Sequence, residues 1–286
     1  MARLPHVRLD LSNRPENVLL VRETLTGIAE AAGLDASDLS DIRTAVTEAA
    51  NNVVLHAYEG GEGPLEVEIF IDSGTLEAIV RDHGIGMTRH PGDVHAATDV
   101  ETGIGLPVIE ALSQDVEFAK TPEGGTEVKM SFAATGMRGL PTPAGEALSR
   151  PVLADSGLPG SPSSISVHPP ELARAVVPRL LAVLAARAHF STDRISDSQL
   201  LADALVAYAA KAVSGTHLGL AVSVAPRDLH VRVGPLVAGH AERLVLASDV
   251  EGLGSVLTKL ADGHGVSTSD AHDMLTLRVQ DRATTP

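Results

Sequence analysis

The feature that most limits what this chain can fold into is that it reads twice. ISDSQLLADALVAYAAKAV (195–213) echoes LSDIRTAVTEAANNVVLHA (39–57), and LGLAVSVAPRDLHVRV (218–233) echoes the alternating residues 65–80. EGLGSVLTKL (251–260) then echoes TGIGLPVIEA (102–111), and MLTLRV (274–279) echoes EVKMSF. Any one echo is ordinary, because apolar helices resemble each other; several in the same order imply an internal duplication. Between the two sets, residues 134–164 are rich in Gly, Pro and Ser without periodicity, the composition of a flexible linker. The expected organisation is therefore a first domain over 1–135, a linker over 136–164 and a second copy over 165–286.

Within the first copy, Val7 to Leu11 alternates as a strand. Asn13 is placed to cap a helix with Pro15 in its first turn, ending at Gly33. A second helix starts at Ser37 or Asp38 and keeps apolar spacing through Leu39, Ile42, Val46, Ala50 and Val53 to about Tyr58. LEVEIFI (65–71) and LEAIVRD (76–82) alternate around Ser73-Gly74 and form a hairpin. A loop over 83–102, a helix from Gly103 to Leu112 and strands at 116–119 and 126–132 complete the set. Helices and antiparallel hairpins in this order predict an α+β fold, a two-layer sandwich with helices on one face of a sheet, here duplicated.

Charge narrows the function classes. Residues 1–135 hold 9 Lys/Arg against 23 Asp/Glu, whereas residues 136–286 hold 13 against 14. An acidic first domain repels a phosphate backbone, so direct nucleic-acid binding is not expected. No apolar run approaches the ~20 residues of a membrane span, the N-terminus lacks a secretory apolar core, and there is no cysteine. A cytoplasmic protein without disulfides or a membrane segment is the expectation.

Three polar clusters interrupt the apolar pattern of the first copy. Glu48, Asn52 and His56 share one helix face, each about one turn, or ~5–6 Å, from the next. Asp82-His83-Gly84-Ile85-Gly86 follows a strand, and Thr102-Gly103-Ile104-Gly105-Leu106 opens a helix. Glycines after a strand let backbone turn and let a flat ligand approach, and an aspartate there can accept from an exocyclic amine. Gly-x-Gly at a helix N-terminus offers unpaired N–H groups to phosphate. An amide oxygen plus phosphate oxygens can share Mg²⁺, and a carboxylate one turn earlier can take a hydroxyl proton. Singly these motifs are weak: a turn, a helix start, and for His56 a packed core imidazole are the plainer readings. Order and spacing together carry the weight.

Taken together, Glu48-x-x-x-Asn52, Asp82-x-Gly84-x-Gly86, Gly103-x-Gly105 and Gly124-Gly125-Thr126 resemble the GHKL (Bergerat) ATP-binding fold, and residues 1–135 most resemble the anti-sigma-factor serine kinases. The resemblance implies Glu48 as catalytic base and Asn52 as the Mg²⁺ ligand. It implies Asp82, Gly84, Gly86 and Thr126 at the adenine, Gly103 and Gly105 at the phosphates, and a short lid over 87–102 with Arg89 its basic residue. ATP and Mg²⁺ are the implied cofactors. The implied partners are a sigma factor and an anti-anti-sigma protein of the STAS type, with assembly as a homodimer or an intrachain pseudo-dimer. Sensor histidine kinases share the fold but carry Lys or Arg where Leu55 stands here. Glu101-Thr102 departs from the glycines usual in the family. The alternative is a nucleotide-binding regulator without kinase activity, in which ATP shapes a protein-binding surface.

The second copy lacks the site. Ala204 and Tyr208 align with Glu48 and Asn52, Pro235 with Asp82 and Val237 with Gly84, leaving Gly252 and Gly254 of the later box. A structural or regulatory role without MgATP is expected for it.

Overall fold

The computed structural model describes residues 3–86, 105–122, 124–143, 158–247, 249–250, 254–268 and 272–282. Its contacts divide the chain into two units, one of residues 5–140 and the other of residues 141–286 with the first four residues.

In the N-terminal unit the elements run β1 (Val7–Ser12), α1 (Pro15–Ala32), α2 (Ala36–His56), β2 (Pro64–Asp72), β3 (Thr75–Asp82), α3 (Gly105–Leu112), β4 (Asp115–Lys120) and β5 (Thr126–Ala133). The strands lie in the order β4-β5-β3-β2-β1, every neighbouring pair antiparallel. α1 buries Leu20, Leu25 and Ile28, and α2 buries Ile42, Val46, Ala50 and Val53. Each large aliphatic side chain taken from water contributes about 1.5–3 kcal/mol, which holds the helical layer to the sheet.

Local chemistry moves several expected boundaries. Asn13 does not cap α1. Its amide donates to Gly61 O (3.0 Å) and its oxygen accepts from Gly63 N (2.9 Å), so it ties the chain before α1 to the turn before β2. Arg14 stands at the cap position instead, with Pro15 pre-setting the first turn. α2 begins at Ala36, ahead of Asp38, whose carboxylate is used by Thr135 N (2.7 Å). Residues 136–140, expected as the start of a linker, pack on this unit: Met137 is buried and Arg138 N donates to Ala32 O.

β2 departs from a half-exposed strand. Its sequence alternates in polarity, yet every residue from Leu65 to Ile71 is buried. Arg8 reaches across from β1 to Glu68 (3.0 Å) and Glu66 (3.1 Å) and also holds Asp10 (2.9 Å). Arg81 on β3 holds Glu68 (2.7 Å) and Glu127 of β5. Burial works against both guanidinium charges, but the carboxylates outweigh it and raise both pKa values above the ordinary one. The polar face is an ion-pair layer.

The C-terminal unit repeats the topology. β6 (Ser163–Val167), a 3-10 turn (Pro170–Leu172), α4 (Ala173–Arg187), α5 (Thr192–Ala209), β7 (Leu218–Ala225) and β8 (Asp228–Val237) follow in sequence. After them come α6 (His240–Ala247), the short pair β9 (Asp249–Val250) and β10 (Gly254–Ser255), α7 (Val256–Leu260), β11 (Gly263–Thr268) and β12 (His272–Gln280). The main strands lie in the order β11-β12-β8-β7-β6, which matches β4-β5-β3-β2-β1 strand for strand. β6 begins inside the expected linker, and α6 is an element that the echoes did not foresee. Asp273, fully buried on β12, accepts from Ala241 N (3.2 Å) at the start of α6. Burial opposes its charge, but the amides at the start of α6 and the Thr268 hydroxyl prevail and hold its carboxyl below the usual range. No described helix is long and apolar enough to cross a membrane.

Candidate functional site

α2 is amphipathic, and the site grows from its less buried side. Glu48 and Asn52 are both half-buried, each followed by a buried residue, Ala49 and Val53. They converge on the first residue of α3. A Cβ built on Gly105 would lie 3.4 Å from Asn52 Oδ1 and 3.5 Å from Glu48 Oε2. The missing side chain keeps a helix N-terminus, with its unpaired N–H groups, open beside a carboxylate and an amide.

His56, the third member of the face, is exposed in the last turn. The packed-core reading of this imidazole is therefore corrected: the helix has already left the core at that point, and a basic residue suits its C-terminal dipole. Leu55 is also exposed, at 67%.

The second cluster forms where β3 ends. Asp82 is 4% exposed, and its Oδ1 accepts from Gly84 N (2.8 Å). Gly84 is packed against the end of α2 so tightly that a Cβ would sit 1.9 Å from Ala57 O, and Ile85 N donates to that same oxygen (3.0 Å). Gly86 has φ of +76° and would place a Cβ 2.5 Å from Gly124 O, so both conformation and space require glycine. Gly125 in turn lies on the main chain of Asp82, at 2.0 Å for a built Cβ. The register of β3 on β5 ends at Arg81↔Glu127, and one further step sets Thr126 beside Asp82. The structure thus brings Asp82, Gly84, Gly86 and Thr126 to one place and Glu48, Asn52 and Gly105 to another. Arg89 and Gly103 lie outside the described residues, as does the expected lid.

The two clusters are strung along α2. Asn52 of one and Ala57, against which Gly84 of the other packs, are five residues apart, about 8 Å of helix. Among the described residues no three His, Asp or Glu side chains gather to hold a metal by themselves. A Mg²⁺ at Asn52 would share its shell with phosphate oxygens and water, as this ion commonly does.

Sequence reasoning missed Tyr58. Its hydroxyl donates to Pro64 O (2.6 Å) and accepts from His83 N (2.8 Å). Burial first, then the nearby carboxylates of Asp82 and Glu66, hold its phenol above the ordinary value, so it remains a neutral donor. His83 Nε2 lies 3.3 Å from Glu66 Oε1. The available signal was one of only two tyrosines in the chain, placed just past the helix end.

Comparison with known proteins agrees with this geometry. Residues 11–132 match the model of the histidine kinase-like ATPase domain. Serine-protein kinase RsbW of Bacillus thuringiensis (strain Al Hakam) is 28% identical over 127 residues, covering 41% of this chain and 79% of the relative. RsbW of Bacillus cereus (strain 03BB102) matches at the same identity and coverage, and that of Bacillus anthracis (strain A0248) at 27% over 127 residues. With Glu48, Asn52 and Gly105 gathered at α3 and Asp82 buried at the end of β3, residues 11–132 form a GHKL-type, histidine kinase-like ATPase domain, homologous at low identity to these serine kinases.

Proposed function

We propose that the chain is an ATP-dependent protein-serine kinase and anti-sigma factor, which holds a sigma factor and phosphorylates an anti-anti-sigma partner of the STAS type. The observation that carries the reading is the convergence of Glu48 and Asn52 on Gly105 at the N-terminus of α3. Glu48 accepts the proton of the partner's serine hydroxyl as its oxygen attacks the γ-phosphorus, and the bond to the β-phosphate oxygen breaks to leave ADP. Asn52 would hold Mg²⁺, which would supply neutralisation of the phosphate charge. Asp82 accepts from the adenine amine with Thr126 beside it, and Gly84 and Gly86 leave room for the ring. Gly103, Gly105 and Arg89 complete the phosphate side.

The C-terminal unit, residues 165–286 of the duplication, is the inert copy. Assembly is as a homodimer or as a pseudo-dimer within one chain, which light scattering after size exclusion distinguishes.

Calorimetric titration of the full chain with MgATP tests nucleotide binding, with one site per chain expected. Glu48→Ala is expected to lower phosphotransfer to a serine-bearing STAS partner by about 10²–10⁴-fold while nucleotide affinity stays within about twofold. Wild-type protein that binds MgATP yet phosphorylates no such partner would make it a nucleotide-controlled binding protein and end the kinase reading.

A further inference from the structure

Asp82 can read a base only if its height above Asn52 is fixed, and the two residues sit on different elements. What joins those elements is the segment just past α2. Ala57 O takes Ile85 N (3.0 Å), and the Tyr58 hydroxyl takes His83 N (2.8 Å) while donating to Pro64 O at the start of β2 (2.6 Å). The ring itself is wedged from behind: a Cβ on Gly63 would lie 2.1 Å from Tyr58 Cε1. One phenol therefore closes the end of α2, the start of β2 and the residue after Asp82 into a single clasp.

The other unit shows what the same junction looks like without a site. There, main-chain bonds tie the same two segments, Ser214 N donating to Pro235 O (2.9 Å) and Val237 N to Ala212 O (2.8 Å). Pro235 stands where Asp82 would, and Ser214 where Tyr58 would. The fold can close this corner without a tyrosine, whereas the N-terminal unit adds one immediately beside its buried acid.

We propose that Tyr58 is a positioning residue for base recognition, holding the Asp82–Ile85 segment at a fixed height over α2 so that the Asp82 carboxylate meets the amine of adenine. This rests on the reading of Asp82 as the adenine acceptor. Tyr58 touches no nucleotide; it acts through the His83 amide.

The test compares ATP with purine riboside triphosphate, which lacks only the 6-amino group, on the full chain. Tyr58→Phe removes the hydroxyl and keeps the ring. It is expected to weaken ATP by about tenfold, one hydrogen bond's worth, and the analogue by less than about twofold, so the preference for the amine falls. Gly63→Ala, whose Cβ displaces the ring from the opposite side, is expected to give the same selective loss. In nucleotide-free protein the His83 amide is expected to exchange faster in both variants, with thermal unfolding showing that both remain folded. Equal weakening of the two nucleotides, or none, overturns the proposal, as does unchanged exchange at His83. Wild-type protein that binds neither nucleotide overturns the ATP reading and this proposal together. Wild-type discrimination left intact by Tyr58→Phe overturns this proposal alone.

Discussion

The two units carry the same five-stranded order, and their second helices bury the same positions. Setting Ile42 of α2 on Ser198 of α5 also sets Ala45 on Leu201, Val46 on Ala202, Ala49 on Leu205, Ala50 on Val206 and Val53 on Ala209, all of them buried. On that alignment Glu48 falls on Ala204 and Asn52 on Tyr208. The helix therefore packs equally well with a methyl group where the other has a carboxylate. At the ends of β3 and β8 the contrast recurs: Gly86 and Gly239 share a left-handed φ of about +76° and +77°, yet Asp82 gives way to Pro235. Backbone shape at these positions is common to the units, and the two carboxylates and the amide at them belong to one alone. Residues that the fold can omit in one copy are candidates for ligand contact in the other.

Substitutions that cross between the copies can break this comparison. The largest effect on nucleotide affinity belongs to Asp82→Asn, which keeps shape but turns an acceptor-only group into a mixed one. MgATP affinity measured by calorimetry is expected to fall about a hundredfold, while Pro235→Ala leaves it unchanged. A smaller effect separates the helices. Ala204→Glu forces a carboxylate into a position that is 5% exposed and is expected to cost about 2 kcal/mol in urea unfolding. Glu48→Ala, its mirror image, is expected to be neutral or to stabilise by about 0.3 kcal/mol, the gain in helix propensity. Equal costs in both directions would mean that Glu48 serves packing.

The smallest effect sharpens the comparison from the C-terminal side. The folded Asp273 carboxyl lies below its unfolded value of about 3.9. Its contribution is fully present above that value and is lost as pH falls through the lower folded one. Asp273→Asn is expected to lower stability by about 1 kcal/mol at pH 7 and to converge on the parent as pH falls through the folded value, as read by chemical unfolding at each pH. A constant difference across that range would show that the ionised form is not what holds α6.

Much of the first unit was legible because its sequence rules are local. Gly84 and Gly86 announce a turn, Glu48 and Asn52 interrupt an apolar helix face, and Asp82 closes an alternating strand. What remained hidden depends on partners distant in sequence. Asn13 has the composition of a cap, yet its amide is used by Gly61 and Gly63. Tyr58 has no local signal for its bond to His83, and nothing in LEVEIFI says that its glutamates will be roofed by arginines from two other strands. β6 and α6 were missed because a short Ser-rich strand and an eight-residue helix are too brief to stand out in the sequence.

The ion-pair layer over β2 also acts as a ruler. Side chains alternate between the faces of a strand, so slipping β2 by one residue would turn Glu66 and Glu68 into the aliphatic layer beneath α1 and α2, where neither has a cation to meet. A slip of two would restore the faces but pull Glu68 away from both Arg8 and Arg81. In the alignment that lets Glu68 meet both Arg8 and Arg81, Leu65 stands opposite Asp82. These charges thus decide on which rung of the sheet Asp82 comes to rest.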